Sequence, residues 1–256
     1  MSCSVISIAN QKGGVGKTTT AINLATALAA SGKRVLIVDL DSQGNASTGL
    51  GVDDRTDIIS AYDLLLHTED YTEAAAPTEI PNLSIVPACM ELSGVELTLT
   101  NQSDRERKLR KSLAYYTPNH DYILLDCPPN LGLVTLNALV ASTHVLVPLQ
   151  TEFYALEGLS HILKTIERIR KLYNKELQLF GVVLTMYDKR NKLSLQVEDD
   201  VRLHLKEKVF KTMIPRNVRI AEAPSFGAPV IIYDHKSVGA TAYMLLAREL
   251  LQKIAS

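Results

Sequence analysis

The segment Lys12–Thr19, with the sequence KGGVGKTT, constrains the fold of this chain more than any other. An apolar run, Val5–Ala9, precedes it and is typical of a buried strand. The segment TTTAINLATALAASG that follows has apolar residues at helical spacing and stops at Gly32. Because a glycine-rich loop between a strand and a helix points its backbone N–H groups at bound anions, this order predicts a site for nucleotide phosphates.

Each residue of this loop has an expected role. Lys17 supplies a positive charge to the β- and γ-phosphates, and the Thr18 hydroxyl is a ligand for Mg²⁺. We therefore predict nucleotide binding by Gly13, Gly14, Val15, Gly16, Lys17, Thr18 and Thr19. The loop departs from the general pattern G-x-x-x-x-G-K-[ST], because Gln11 occupies the position of the first glycine and a second lysine, Lys12, opens the loop.

Short apolar runs alternate with longer amphipathic segments along the chain. The runs predict strands at Val5–Ala9, Val35–Leu40, Leu83–Val86, Tyr122–Leu125, Val145–Val147, Phe180–Leu184 and Val209–Met213. The amphipathic segments predict helices over 18–31, 104–115, 132–140, 156–173, 194–207 and 239–254, with a short helix near Ala61–His67. This alternation predicts an α/β fold with a single doubly wound, mostly parallel sheet and helices on both faces. Since the 256 residues contain no linker-like stretch, we expect one domain over residues 1–256.

The composition indicates a soluble globular protein, with 46% hydrophobic and 21% charged residues. No apolar stretch approaches the roughly 20 residues needed to span a bilayer, and no basic region precedes the first apolar run as in a signal peptide. We therefore expect a cytoplasmic protein. Cys3, Cys89 and Cys127 lack C-x-x-C spacing, which argues against a disulfide framework or a zinc site.

Two acidic segments follow predicted strands. VDLDSQGN places Asp39 and Asp41 at the end of the second strand, and YILLDCPP places Asp126 at the end of a later one. Because the carboxyl ends of parallel strands form the ligand-binding edge of such a sheet, we expect all three carboxylates near the loop. There they can hold Mg²⁺ or orient an attacking water, although aspartates after a strand also form turns and helix caps.

The positive charge of the chain is unevenly distributed. Residues 161–220 contain 14 Lys and Arg against 7 Asp and Glu, whereas the remainder contains 13 against 21. The basic residues concentrate in YDKRNK at 187–192 and PRNVR at 215–219. A solvated helix face is the usual meaning of such runs, but this excess also suits DNA phosphates, which Lys and Arg contact without reading bases.

Several motifs resemble the ParA/MinD group of P-loop ATPases, and within it the ParA/Soj chromosome-partitioning proteins. The loop matches the variant K-G-G-x-G-K-[ST]-[ST], and DLDSQGN matches D-x-D-P-Q-G-N except that Ser42 replaces the usual proline. Further matching motifs extend the resemblance over nearly the full chain. They are DCPP at 126–129, PLQTEFYALEGL at 148–159, IPRN at 214–217, EAPSFGAPV at 222–230 and SVGATAY at 237–243.

The resemblance implies roles for individual residues. Lys12, Lys17 and Asp41 are implied as catalytic, with Lys12 reaching the phosphates of a dimer partner and Asp41 positioning the hydrolytic water. Thr18, Asp39 and Asp126 are implied at the metal. Pro215 and Asn217 are implied near adenine, and the sequence NKLS at 191–194 lacks the aspartate of a GTPase N-K-x-D motif. The implied DNA contacts are Lys189, Arg190, Arg216 and Arg219.

The family further implies a function: an ATP-bound, Mg²⁺-dependent homodimer that binds DNA non-specifically, associates with the nucleoid and is released when a ParB-type centromere-binding partner stimulates hydrolysis. A MinD-like membrane ATPase is one alternative. It needs a basic amphipathic C-terminal helix, whereas Leu246, Leu250 and Ile254 suggest a helix packed on the core, so no stable membrane association is expected. An iron–sulfur protein would need paired cysteines whose flanks differ from PACME and DCPPN. A metabolic P-loop ligase leaves the basic segment unexplained.

Overall fold

A parallel sheet forms the centre of the molecule. The computed structural model describes residues 3–52, 59–66 and 74–255. Within these residues the strands are β1 (Ser4–Ile8), β2 (Val35–Asp39), β3 (Ala76–Pro77), β4 (Leu83–Val86), β5 (Tyr122–Asp126), β6 (His144–Gln150) and β7 (Gln178–Thr185). Their order is β3-β4-β2-β5-β1-β6-β7, and every pairing is parallel except that of the short β3 with β4. The predicted sheet is confirmed.

Helices cover both faces of this sheet. They are α1 (Lys17–Ala30), α2 (Asn45–Gly49), α3 (Ala61–Leu66), α4 (Val95–Leu99), α5 (Lys108–Leu113), α6 (Leu133–Ala141), α7 (Ala155–Leu172), α8 (Lys192–Leu205), α9 (Val218–Glu222), α10 (Val230–Tyr233) and α11 (Val238–Ala255). One buried cluster joins the sheet to α3–α8, and a second joins its other face to α1, α2, α10 and α11. Because both faces are covered, the central strands are continuous apolar runs rather than alternating ones.

The C-terminal helix packs on the core as its sequence predicts. Leu246 and Leu250 of α11 are fully buried, and Ile254 packs against the same cluster as α1. No helix among the described residues is both long enough and apolar enough to cross a membrane.

The predicted strand over Val209–Met213 is wrong. Val209 forms only an isolated bridge to Val182, although Phe210 N–H donates to the Val182 carbonyl at 2.9 Å. The next two backbone N–H groups, of Lys211 and Thr212, donate instead to the Glu249 carboxylate at 2.8 and 2.9 Å. A side chain from α11 thus takes the donors that a strand ladder needs, and the edge of the sheet stays at β7.

Other element predictions hold with shifted bounds. The helix predicted over 104–115 is shorter, because Arg105–Arg107 form a 3₁₀ turn before α5 and Asp104 has a left-handed φ of 55°. The helix near Ala61–His67 is α3, and His67 lies outside the described residues. The strand β3 and the short helices α2, α4, α9 and α10 were not predicted, because each has at most five residues and therefore little periodicity.

The strand order decides what lies beside the loop. The chain passes from β1 through α1 to β2, yet β5 lies between these two strands. In register, Ile8 of β1 is opposite Asp126 of β5, which is opposite Asp39 of β2. The carboxyl ends of three strands therefore meet at one point of the sheet edge, where the loop begins.

Candidate nucleotide site

The glycine-rich loop connects β1 to α1 through two left-handed residues. Gly14 has φ 73° and Gly16 has φ 87°, a region in which any side chain is strained. Gly16 is the N-cap of α1, and no side chain caps this helix end. The first N–H groups of α1 are therefore left for a bound anion, and the helix dipole favours negative charge there.

Lys17 is folded back into the loop. Its side chain is buried, and its Nζ donates to the Lys12 carbonyl at 3.1 Å. Burial lowers the pKa of Lys17, and the nearby Asp126 carboxylate opposes that shift. The lysine thus brings a positive charge to a dry part of the loop, where its attraction for an anion is weakly screened.

A cavity of about 480 Å³ opens at this loop. Its lining includes Asp41 and six residues of the loop, which are Gly13, Gly14, Gly16, Lys17, Thr18 and Thr19. Val15 does not: its side chain is buried, and its carbonyl accepts a hydrogen bond of 2.8 Å from the Thr185 hydroxyl at the end of β7. Val15 therefore anchors the loop to the sheet, and its part in nucleotide binding stays a prediction.

Asp39 is a buried and heavily hydrogen-bonded carboxylate. One oxygen accepts from the Ser47 N–H at 2.9 Å and from its hydroxyl at 2.8 Å, and the other accepts from the Asp41 N–H at 3.2 Å. Burial raises the pKa of Asp39 to about 6, against the effect of these donors. Asp39 therefore organises the turn after β2, and its oxygens are largely occupied by this chain.

Asp126 differs from Asp39 in its hydrogen bonding. It is fully buried, and neither of its carboxylate oxygens has a well-formed hydrogen bond within the described part of the chain. Burial and the neighbouring Asp39 raise the pKa of Asp126 well above its usual range, while Thr18 and Lys17 oppose the shift. A buried carboxylate without partners is costly unless a cation or donor completes it.

The oxygen ligands at this site suit a Mg²⁺ ion that is also coordinated by the phosphates of a nucleotide. Among the described residues no group of three or more His, Cys, Asp and Glu could hold a metal. Mg²⁺ commonly takes one or two carboxylates and fills its octahedron with phosphate oxygens and water. The oxygens of Asp126, which accept no well-formed hydrogen bond among the described residues, and the hydroxyl of Thr18 fit that pattern, and Asp39 fits it as an outer carboxylate.

Asp41 lines the same cavity. It is half-buried, and its Oδ1 accepts from the Gln43 N–H at 3.1 Å, which shapes the turn before α2. Ser42, which replaces the usual proline, lies in this turn. Asp41 is therefore a carboxylate that both shapes this turn and lines the cavity.

Lys12 forms an ion pair within its own chain. Its Nζ contacts Oε1 of Glu152, which follows β6, and both side chains are partly exposed. The backbone N–H of Lys12 also donates to Oδ1 of Asn10 at 3.1 Å. Glu152 was not predicted from the sequence, because a single glutamate 140 residues away carries no local signal.

A second cavity of about 280 Å³ adjoins the loop at Gly16 and Thr19. Pro215 and Asn217 line it, with Met186 and the buried Tyr243. The Asn217 side chain is also the N-cap of α9, since its Oδ1 accepts from the Ile220 N–H at 3.3 Å. A mostly apolar recess beside the phosphate loop is the shape that a nucleotide base requires.

The predicted DNA contacts divide into paired and unpaired cations. Arg190 forms two hydrogen bonds of 3.0 and 2.8 Å to the Asp188 carboxylate, and Arg219 pairs with Glu222 at 3.0 Å and Asp234 at 3.4 Å. Within the described residues Lys189 and Arg216 form no ion pair. Lys189, Arg190 and Arg216 line a common cavity of about 800 Å³, and Arg219 lies outside it.

Comparisons with known proteins show the family to which the chain belongs. A family model described as an AAA domain matches residues 3–179. The chromosome partitioning protein ParA of Caulobacter vibrioides is 53% identical over 251 residues, which are 97% of this chain and 94% of that one. The sporulation initiation inhibitor protein Soj of Bacillus subtilis is 49% identical over 245 residues, 96% of this chain and 97% of that one.

A solved structure shares the whole architecture. Cobyrinic acid a,c-diamide synthase from Mycobacterium smegmatis, crystallised with bound ADP and magnesium, is 36% identical and superposes with a TM-score of 0.86. The match covers 99% of this chain and 96% of that one.

Proposed function

Because the chain belongs to the ParA/Soj family of chromosome-partitioning ATPases, we propose that it segregates DNA through an ATP-bound homodimer. The chain is an ATPase of this family, and its proposed cofactors are ATP and Mg²⁺. In this proposal the dimer binds DNA without sequence preference on the nucleoid. A ParB-type centromere-binding partner then stimulates hydrolysis and releases the protein.

The observation that best supports the nucleotide chemistry is the buried, unpartnered Asp126 beside Thr18 and Lys17. When bound, Mg²⁺ neutralises charge that develops on the transferred phosphoryl group. Asp126 and Thr18 would hold the ion, and Asp39 would sit behind it. Lys17 and the N–H groups at the start of α1 would hold the phosphates, which costs no reorganisation because the loop is already formed.

Hydrolysis also needs a positioned water, for which we propose Asp41. Asp41 lines the cavity, and the hydrogen bond that its Oδ1 accepts from the Gln43 N–H orients the side chain. An acceptor at this place keeps the oxygen lone pair of a water directed at the terminal phosphate. Pro215 and Asn217 are proposed to contact adenine in the adjoining cavity.

We propose that Lys12 completes the site of a second subunit. Lys17 already occupies the interior of this loop, so a second lysine at the entrance adds little to phosphate binding within one chain. A cation supplied by a partner stabilises transition-state charge as an arginine finger does. Since exposed ion pairs contribute about 0–1 kcal/mol, the contact with Glu152 is weak enough to be exchanged for a phosphate.

The DNA surface is proposed around Lys189, Arg190, Arg216 and Arg219. Lys189 and Arg216 offer positive charge directly, and the exposed pair of Arg190 with Asp188 can open at small cost. One subunit offers few phosphate contacts, and dimerisation doubles them. This is why ATP should strengthen DNA binding in this proposal.

Two other functions compete. A metabolic role is suggested by the 36% identity to the Mycobacterium smegmatis enzyme, but identities of 53% and 49% to ParA and Soj favour partitioning. A membrane-bound role would require an apolar face that the packed helix α11 keeps in the core at Leu246 and Leu250.

A salt titration of DNA binding with ATP, ADP or no nucleotide tests the proposal. We expect ATP to give the tightest binding, with a log–log salt dependence of about −0.9 per neutralised phosphate. ADP should not strengthen binding over the nucleotide-free protein. DNA binding that is the same with and without nucleotide, or no DNA binding at low salt, would favour the membrane or metabolic alternative.

A further inference from the structure

A second basic groove lies at the edge of the sheet opposite the glycine-rich loop. It has a volume of about 630 Å³ and includes His144 and Gln178, the first residues of β6 and β7. Its walls are the segment Lys206–Val209 after α8 and one side of α11. Nothing in the nucleotide chemistry uses this groove, since parallel strands place the phosphate loop at their other ends.

The groove carries an excess of positive charge. Its basic residues are Arg202, Lys206, Lys208, Lys211 and Lys253, against two acidic residues, Glu207 and Glu249. The Glu249 carboxylate accepts backbone N–H groups of Lys211 and Thr212, which offset part of its charge. Burial and the nearby Lys208 lower the pKa of His144, which disfavours a positive charge on this ring.

Two of these basic side chains interact with other groups of the protein, and three are available to bind a ligand. Arg202 bonds to Glu198 at 2.8 Å and to the Phe210 carbonyl at 3.2 Å, and the Nζ of Lys253 lies 4.6 Å from the Phe210 ring centroid. Lys206, Lys208 and Lys211 are exposed and form no ion pair in the part of the chain that the structure describes. Three exposed cations that form no ion pair among the described residues therefore line one groove.

This groove is continuous with the proposed DNA surface. Lys211 lines both this cavity and the one formed by Lys189, Arg190 and Arg216. A basic track therefore runs from the carboxyl edge of the sheet, past Lys211, to its amino edge. Two adjoining basic cavities suit an extended polyanion better than a single phosphate or a short acidic peptide.

We propose that this groove is a second contact surface for duplex DNA, binding the phosphate backbone through Lys206, Lys208 and Lys211. The inference rests on the proposed DNA-binding function and extends its surface. A duplex is favoured over a single strand because Phe180, the phenylalanine that lines the groove, is buried in the core and offers no platform for stacked bases. Contact through lysines to phosphates is independent of base sequence.

The test compares two double charge reversals in the full-length protein with ATP and Mg²⁺. Lys206→Glu/Lys208→Glu changes the groove, and Lys164→Glu/Lys171→Glu makes the same change in net charge at positions of α7 that line neither cavity. The probe is a fluorescein-labelled duplex of random sequence, followed by anisotropy. Unchanged ATP hydrolysis without DNA and an unchanged melting temperature establish that both variants are folded.

We expect the groove variant to bind the duplex at least tenfold more weakly at 0.1 M salt and the α7 variant to remain within about threefold of the unsubstituted protein. A milder variant, Lys206→Ala/Lys208→Ala, should reduce the log–log salt slope by about one to two, since each phosphate contact contributes about 0.9. Equal loss in both charge reversals, or no loss in the groove variant, would overturn the inference. If the unsubstituted protein itself fails to bind the duplex, the proposed function fails first.

Discussion

Asp39 and Asp126 are register partners on the neighbouring parallel strands β2 and β5, so that two buried carboxyl groups lie side by side at the carboxyl edge of the sheet. Asp39 is satisfied by Ser47 and the Asp41 N–H, whereas Asp126 has no well-formed hydrogen bond within the described residues. The pair therefore stores an unfavourable interaction that a cation at Asp126 would relieve.

Asp126→Asn should stabilise the nucleotide-free protein and weaken its binding of Mg²⁺ and ATP. Relative to the ionised form of Asp126, the amide removes a buried charge beside Asp39 and adds N–H donors that can reach the Asp39 carboxylate, and leaving a buried acceptor unsatisfied costs about 1–3 kcal/mol. Chemical denaturation without nucleotide should show a gain of that order, and titration with Mg²⁺ and ATP should show lost affinity. Asp104→Asn, on the exposed surface, is the control. A variant less stable than the unsubstituted protein would contradict the unpartnered state of Asp126.

The same pair predicts a pH dependence of stability. The pKa of Asp39 is raised to about 6 in the folded protein, and burial also raises the pKa of Asp126 well above its usual range. Between pH 4 and 6 the native pair holds protons that the unfolded chain has released. Its contribution to the free energy of unfolding therefore falls as pH rises through that window, by up to about 1.4 kcal/mol per pH unit for each proton.

The difference between the unsubstituted protein and Asp126→Asn isolates this effect. His144, whose pKa is lowered by burial, acts in the opposite direction near pH 6 but is common to both proteins. Asp121, with its pKa lowered to about 2 by hydrogen bonds from Arg34, affects stability mainly below pH 4. Denaturation curves at successive pH values should show the two proteins converging as pH falls. Parallel curves would refute the coupled carboxyl pair.

Asp41→Ala should retain ATP binding and lose most turnover, by about 10²-fold or more, because it removes the acceptor that orients water. The ATP-bound dimer should then accumulate, which size-exclusion chromatography with light scattering would detect. Asp41→Asn keeps an acceptor for the Gln43 N–H and so separates lost charge from a distorted turn. Normal hydrolysis in both variants would rule out the role of Asp41.

Substitution of the two lysines of the loop should have different effects on nucleotide binding and hydrolysis. Lys17→Ala should abolish nucleotide binding, because it removes the buried cation within one subunit. Lys12→Ala should leave monomer binding largely intact and lower dimer-dependent hydrolysis by about 10³-fold, as loss of an arginine finger does. Glu152→Gln, which breaks the ion pair but keeps the Lys12 cation, should not reproduce that loss. Equal loss of ATP affinity in both lysine variants would exclude a cross-subunit Lys12.

Asp188 should restrain DNA binding, because its carboxylate neutralises Arg190. Asp188→Asn should tighten binding to a random duplex by about twofold to tenfold and steepen its salt dependence, since one more cation becomes available for phosphate. Arg190→Glu and Arg219→Glu should weaken binding for every sequence. Asp104→Asn changes the net charge equally at a distant site and should have little effect. If the two Asp→Asn variants behave alike, Arg190 does not contact DNA.

Local patterns in the amino-acid sequence by themselves determined much of this protein. KGGVGKTT between an apolar run and a helical segment specified β1, the loop and α1, because strand, turn and helix chemistry all agree there. Buried strands that end in aspartate specified β2 and β5 and the edge at which Asp39 and Asp126 lie. The helix over 238–255 was visible from its apolar spacing. These features depend on neighbouring residues, so a window of the sequence contains them.

Contacts between distant segments were decided only by the tertiary structure. The position of β5 between β1 and β2 makes Asp39 and Asp126 register partners. The Glu249 carboxylate of α11 accepts hydrogen bonds from the N–H groups of residues 211 and 212, which would otherwise extend the sheet. The ion pair of Lys12 with Glu152 and the basic groove built from β6, β7, α8 and α11 are equally non-local. Each of these contacts depends on which elements pack together, and that choice is made by burial of the whole core rather than by the propensity of any one segment.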